Sequence, residues 1–156
     1  MLKYRLSDFI DASIFPRELN SYRKVEIINA RNNKALHIVE RVSNNWISNK
    51  YKKIRNLSVD KKLTQILNIN AKVIVDDIDE KTLQFLNNYI ENPKLKIKVK
   101  APESKEFVVT YPIGKNDSLK IKRNENFIIK DMNENIIYIV DKSYLSEFNI
   151  NYYDFK

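Results

Sequence analysis

Four lysines at alternate positions, Lys94, Lys96, Lys98 and Lys100, are separated by the apolar residues Leu95, Ile97 and Val99. On an extended chain this pattern puts four ammonium groups on one face, about 6.6 to 6.8 Å from one to the next, near the spacing of backbone phosphates. Lys120, Lys122 and Arg123 on another expected strand would extend the row, and Lys50, Lys52, Lys53 and Arg55 form a second basic cluster. The chemistry on offer is polyanion binding, salt-dependent and indifferent to base sequence. A plainer role competes with it: a half-solvated strand at a sheet edge, whose lysines discourage pairing with another chain.

Catalytic chemistry is harder to assemble. The one histidine, His37, sits beside Ile38 and Val39 with no serine, cysteine or second histidine in a recognisable relation to it, so no nucleophile and base can be paired. The absence of cysteine removes thiolate nucleophiles and cysteine-held metals, and a single glycine cannot build a phosphate-cradling loop or a dinucleotide fingerprint. Asp76, Asp77, Asp79 and Glu80 fall where a strand ends and a helix begins, and four carboxylates there could hold Mg²⁺ or Ca²⁺. The simpler role for them is a helix cap at the positive end of the helix dipole. The expectation is no catalytic residue, no metal and no cofactor.

The positioning elements follow from hydrophobic periodicity. Ala35, Ile38, Val39, Val42 and Trp46 recur at helical spacing and predict a long amphipathic helix, in competition with a hairpin of Val25 to Ile28 and Ala35 to Val39 turning at Asn32 and Asn33. Ser58 is a plausible N-cap for a short helix carrying Leu63, Ile66 and Leu67. The run from Ala71 to Asp77 reads as a buried strand, and Asp79 can cap a helix with Leu83, Leu86, Tyr89 and Ile90 on one face, stopped by Pro93. Strand, helix and lysine strand then make a βαβ unit with parallel neighbours. Further strands are expected at 107–110, 119–122, 127–130 and 136–140, with turns at 114–117 and 132–135. The aromatics Tyr144, Phe148, Tyr152, Tyr153 and Phe155 offer a base-stacking surface or, as their helical spacing favours, a tail docked on the body.

The fold class is therefore α+β (or α/β): a mainly helical part over 1–57 packed on a mixed sheet over 58–156, with one βαβ unit followed by hairpins. A length of 156 residues and 43% hydrophobic composition suit one domain, 1–156, and exclude a disordered chain. With one glycine, turns fall to Asn, Asp and Ser. Lys3, Arg5, Asp8 and Asp11 interrupt the apolar start, which therefore does not read as a signal peptide, and no apolar run is long enough to span a membrane. A cytoplasmic location is expected by default. The formal charge of +8 favours polyanionic partners.

The segment from Asn70 to Leu86, with its Asp76-Asp77 pair leading into a helix, followed by Asn92-Pro93 opening a strand, resembles the phospholipase D-like superfamily over residues 58 to 140. The family's His-x-Lys-x₄-Asp signature falls here on Asn124, Asn126 and Asp131, so the resemblance implies a catalytically degenerate member, since the missing histidine is the family's nucleophile. It also implies dimerisation, because small members assemble one site from two halves. Together these readings predict a non-enzymatic basic protein that contacts nucleic acid or a nucleoprotein complex through the lysine face. The alternative is a protein-interaction or inhibitor module, of the sort mobile elements encode, that meets an acidic protein surface or blocks a larger nucleic-acid enzyme. A divergent hydrolase using Asp76, Asp77 and Asp131 with a metal ranks last.

Overall fold

A computed structural model describes residues 3–6 and 13–156. Among the described residues nine strands form one sheet: β1 (Lys3–Leu6), β2 (Lys24–Asn29), β3 (Lys34–Val42), β4 (Asn45–Ser48), β5 (Val73–Asp76), β6 (Leu95–Lys100), β7 (Ser104–Val109), β8 (Asn126–Asp131) and β9 (Ile136–Asp141). Their order is β1-β5-β9-β8-β7-β6-β2-β3-β4, and every neighbouring pair is antiparallel. Helices α1 (Asn56–Leu67), α2 (Glu80–Ile90) and α3 (Tyr152–Phe155), with 3-10 segments at Leu19–Ser21 and Lys142–Phe148, complete an α+β fold. Among the described residues no helix is long and apolar enough to cross a membrane.

The expected long helix over 35–46 is instead two strands of a meander. Ser43 and Asn44 both take positive φ, 48° and 66°, between the paired Val42 and Asn45. Two consecutive left-handed residues are the signature of a tight two-residue hairpin, and they end any helix. Asn33 (φ 58°) turns β2 into β3, while the Asn29 and Asn32 side chains accept hydrogen bonds from the Arg31 and Lys34 amides at 2.9 and 3.0 Å. The competing hairpin is thus the one formed, and among the described residues of 1–57 the regular structure is mainly strand. The apparent helical stripe splits between faces: Val39 and Trp46 are buried on one side, whereas Ile38 and Val42 point to the other.

The parallel βαβ unit also needs correcting. The neighbours of β5 are β1 and β9, and those of β6 are β2 and β7. β9, β8 and β7 lie between the two, so the strands point the same way without touching. The helix between them is as expected: the Asp79 side chain accepts from the Thr82 amide at 2.7 Å, and the chain leaves α2 just before Pro93. Ser58, in contrast, is not a cap. α1 starts at Asn56, and the Ser58 hydroxyl donates to the Lys156 carbonyl at 2.6 Å. Residues 119–122 are not a strand either. Lys120 has φ 56°, the Asn116 side chain accepts from the Leu119 amide, and Leu119 and Ile121 tuck beneath α2.

The sheet is covered unequally. On one face α1, both 3-10 segments and the C-terminal residues bury Val25, Ile27, Ile97, Phe107, Phe127 and Val140. The aromatic tail docks here through Phe148 and Phe155, in two short helical pieces and not one stripe. On the other face α2 and the 113–121 loop cover β5, β9 and β8 through Leu86, Ile90, Ile113, Ile128, Ile137 and Ile139. That cover stops at β8, leaving Lys98, Lys100, Glu40, Val42 and Ile47 exposed on the same side.

Candidate binding surfaces

The lysine strand is central in the sheet. β6 lies between β2 and β7, and the edges are β1 and β4, so the sheet-edge role for these lysines falls away. Edge protection is found on β4, where the Asn56 side chain accepts from the Trp46 amide at 2.9 Å and occupies its outward-facing donor. With Leu95, Ile97 and Val99 in the core, Lys96, Lys98 and Lys100 project onto the uncovered half-face. The register then interleaves them with acids. Lys98 is flanked by Glu26 on β2 and Glu106 on β7. Lys100 pairs with Lys24, which in turn pairs with Glu40 and lies 3.9 Å from Glu26. Directly opposed charges of opposite sign stabilise a sheet by roughly 0.2–1 kcal/mol per pair, so this end of the ladder is partly neutralised. A groove of about 470 Å³ lies over it, lined by Glu26, Glu40, Lys98, Lys100 and Glu106.

The other end differs. Lys96 pairs with Ile28 and Val108, and beyond Val108 stands Lys130 of β8. Lys94 lies 5.9 Å from the ring of Tyr111, which is 45% exposed. Lys94, just before β6, Lys96 and Lys130 are half-buried, and no acid is paired with Lys96 or Lys130 across the strands, although Lys130 also lines a groove with Asp76 and Asp77; Lys130 was missed in the sequence because its partner strand is set only by tertiary pairing.

The two further basic clusters do not join this strip. Lys50, Lys52, Lys53 and Arg55 lie on the connection from β4 to α1, the helix that covers the opposite face. Lys122 and Arg123 sit on the long β7–β8 connection, Arg123 in a groove with Tyr89 and Asn124, and Lys120 occupies a turn. The expected extension of the lysine row by Lys120, Lys122 and Arg123 is not formed, and the 50–55 cluster is a separate surface.

His37 is a core histidine of β3, 6% exposed, with its ring 6.1 Å from Tyr51 and its Nδ1 buried without a hydrogen-bond partner among the described residues. Burial, helped by the charge of Lys50, holds its pKa below the ordinary 6.5, against weaker opposing effects of the Ile150 carbonyl and Asp154. A histidine easier to protonate when unfolded contributes stability that is present above pH 6.5 and lost as the pH falls toward the folded value. Between pH 6.5 and 5, above the carboxylate range, stability should drop by up to about 1.4 kcal/mol per unit. Urea unfolding at several pH values checks this, and His37→Gln should flatten that part of the profile.

The acidic group at 76–80 is dispersed in role. Asp79 caps α2, and its hydrogen bonds from Thr82 hold its carboxyl below the usual range. Among the described residues no three His, Cys, Asp or Glu side chains are grouped to hold a metal ion. Of the three positions singled out by the phospholipase D-like resemblance, Asn124 is an exposed turn residue (φ 62°), Asn126 is buried at the start of β8, and Asp131 is buried at its end. Asp131 holds Lys105 at 2.7 Å and accepts from the Asn133 and Glu134 amides, each at 3.0 Å. No known protein family, curated protein or solved structure matches the chain.

Proposed function

We propose that this chain is a non-catalytic binding protein whose partner is nucleic acid or a nucleoprotein complex. The observation that carries the proposal is the uncovered half of the sheet, from which lysines project on a rigid, fully paired strand, in a chain of net charge +8. The strip of Lys94, Lys96 and Lys130, in which no acid is paired with Lys96 or Lys130 across the strands, is the part of that face best suited to phosphate. Replacing these three by Gln should weaken binding to labelled nucleic acid about tenfold or more at low salt and flatten the dependence of log affinity on log salt. Fluorescence anisotropy at several salt concentrations measures both. Unchanged affinity would sink the assignment of this face.

One observation favours a protein partner instead. The Glu26, Lys98, Glu106 row carries both signs, and toward the β3–β4 hairpin on the same side Val42 and Ile47, the latter paired with Glu40, are 46% and 54% exposed. Mixed charge beside apolar side chains suits a protein surface better than a phosphate backbone. Capture of a defined protein that survives nuclease treatment and is lost in Ile47→Asp would favour this interaction or inhibitor role.

A further inference from the structure

Among the described residues the two most exposed large hydrophobic side chains are Leu57 at 81% and Tyr153 at 78%, and both lie where the start of α1 meets the C-terminal residues. This corner is well ordered by bonding. The Arg55 amide donates to the Phe155 carbonyl at 2.8 Å, and the Ser58 hydroxyl donates to the Lys156 carbonyl at 2.6 Å. Asn151 and Asp154 close a reciprocal cap around Tyr152 and Tyr153, while Phe155 is wholly buried beneath them. Tyr153 is therefore an outward ring held on a fixed turn, not part of a loose tail.

Its surroundings are cationic. The Lys156 ammonium lies 5.9 Å from the Tyr153 ring, and Lys61 lines a groove with Tyr153, Ser58, Lys62, Gln65 and one acid, Asp154. Arg55 sits one residue before α1. The acids of the corner are engaged locally: Asp154 in the α3 cap, and Glu147 with Lys62 at 3.3 Å. Arg55, Lys61 and Lys156 have no carboxylate partner among the described residues. An exposed aromatic ring with cations nearby that make no ion pair is a composition that holds single-stranded nucleic acid, the ring taking a base and the cations the flanking phosphates. A duplex, whose bases are already stacked, cannot use the ring.

We propose that the α1–α3 corner binds single-stranded nucleic acid, with Tyr153 stacking on a base and Arg55, Lys61 and Lys156 contacting phosphates. The inference rests on the nucleic-acid reading above but assigns the strand to a surface on the other side of the sheet. The test is anisotropy with a labelled single-stranded homopolymer and a duplex of equal length over a range of salt. The full chain should prefer the single strand; Tyr153→Ala should weaken that binding about tenfold or more with the salt slope unchanged, and Tyr153→Phe should retain it. Lys61→Gln should lower the slope by about 0.7. If the chain binds but Tyr153→Ala is neutral while Gln at 94, 96 and 130 removes binding, the corner is overturned and the sheet face stands. If the chain binds no nucleic acid at low salt, both fall.

Discussion

Asp131→Ala should lower the free energy of unfolding by about 3 kcal/mol, a large share of what a domain of this size has. The carboxylate is 1% exposed and supports three contacts at once, the Lys105 ammonium and the two amides that begin the β8–β9 turn. Truncation leaves those donors partly buried without their acceptor, which costs more than the contacts themselves are worth. Lys105 is 25% exposed at its side chain and can reach water, which keeps the loss below that of a fully enclosed pair. Asp131→Asn keeps an acceptor for the turn and should lose about half as much. Urea unfolding followed by fluorescence of Trp46, the one tryptophan and 4% exposed, gives the values directly. A change under about 0.5 kcal/mol, the usual size of a surface substitution, would mean that Asp131 does not anchor the hairpin.

The β8–β9 hairpin, α2 and the lysine strand were legible because each is encoded locally. Asp79 followed by a stripe ending near Pro93 specifies a capped helix, and strict alternation from Lys94 to Lys100 specifies a strand with one dry face. The turns were legible in kind: of the seven described positions with positive φ, four are Asn and none is Gly. The 35–46 region was misread because a helical and a strand pattern share several apolar positions over so short a window. The deciding signal, Ser43-Asn44 between Val42 and Asn45, is one dipeptide. Strand order was not legible at all. Nothing local to β5 or β6 states that three strands from later in the chain will be inserted between them.

The same limit governs the binding surfaces. Composition and spacing located the cations but not their neighbours, and a lysine's worth toward phosphate depends on what the adjoining strand presents. Glu26 and Glu106 lie 72 residues before and 8 residues after Lys98 in the chain, yet both are paired with it. The tail aromatics read as either a base-stacking surface or a docked tail, and the short α3 turn divides them, burying Phe155 and leaving Tyr153 outside.

Phe107→Ala should be the costlier change, about 4 kcal/mol. The ring is fully buried on β7, meets Phe15 edge to face at 4.7 Å, and carries the Lys105 ammonium at 5.6 Å from its centroid. Phe15 in turn meets Phe148 at 6.4 Å, so one side chain of the central sheet holds both the segment before β2 and the 3-10 segment after β9. Truncation forfeits the burial of the ring, adds a cavity and breaks an aromatic pair worth about 0.5–1.5 kcal/mol beyond its area. A double-mutant cycle with Phe15→Leu isolates that last part, and zero coupling would show that the pair does no more than fill space. Phe107→Leu should cost about half as much and remain folded. Because Phe107 points away from Lys96 and Lys98, this milder variant should bind nucleic acid as the parent does. Lost binding in a folded Phe107→Leu protein would show that the lysine face depends on the packing beneath it.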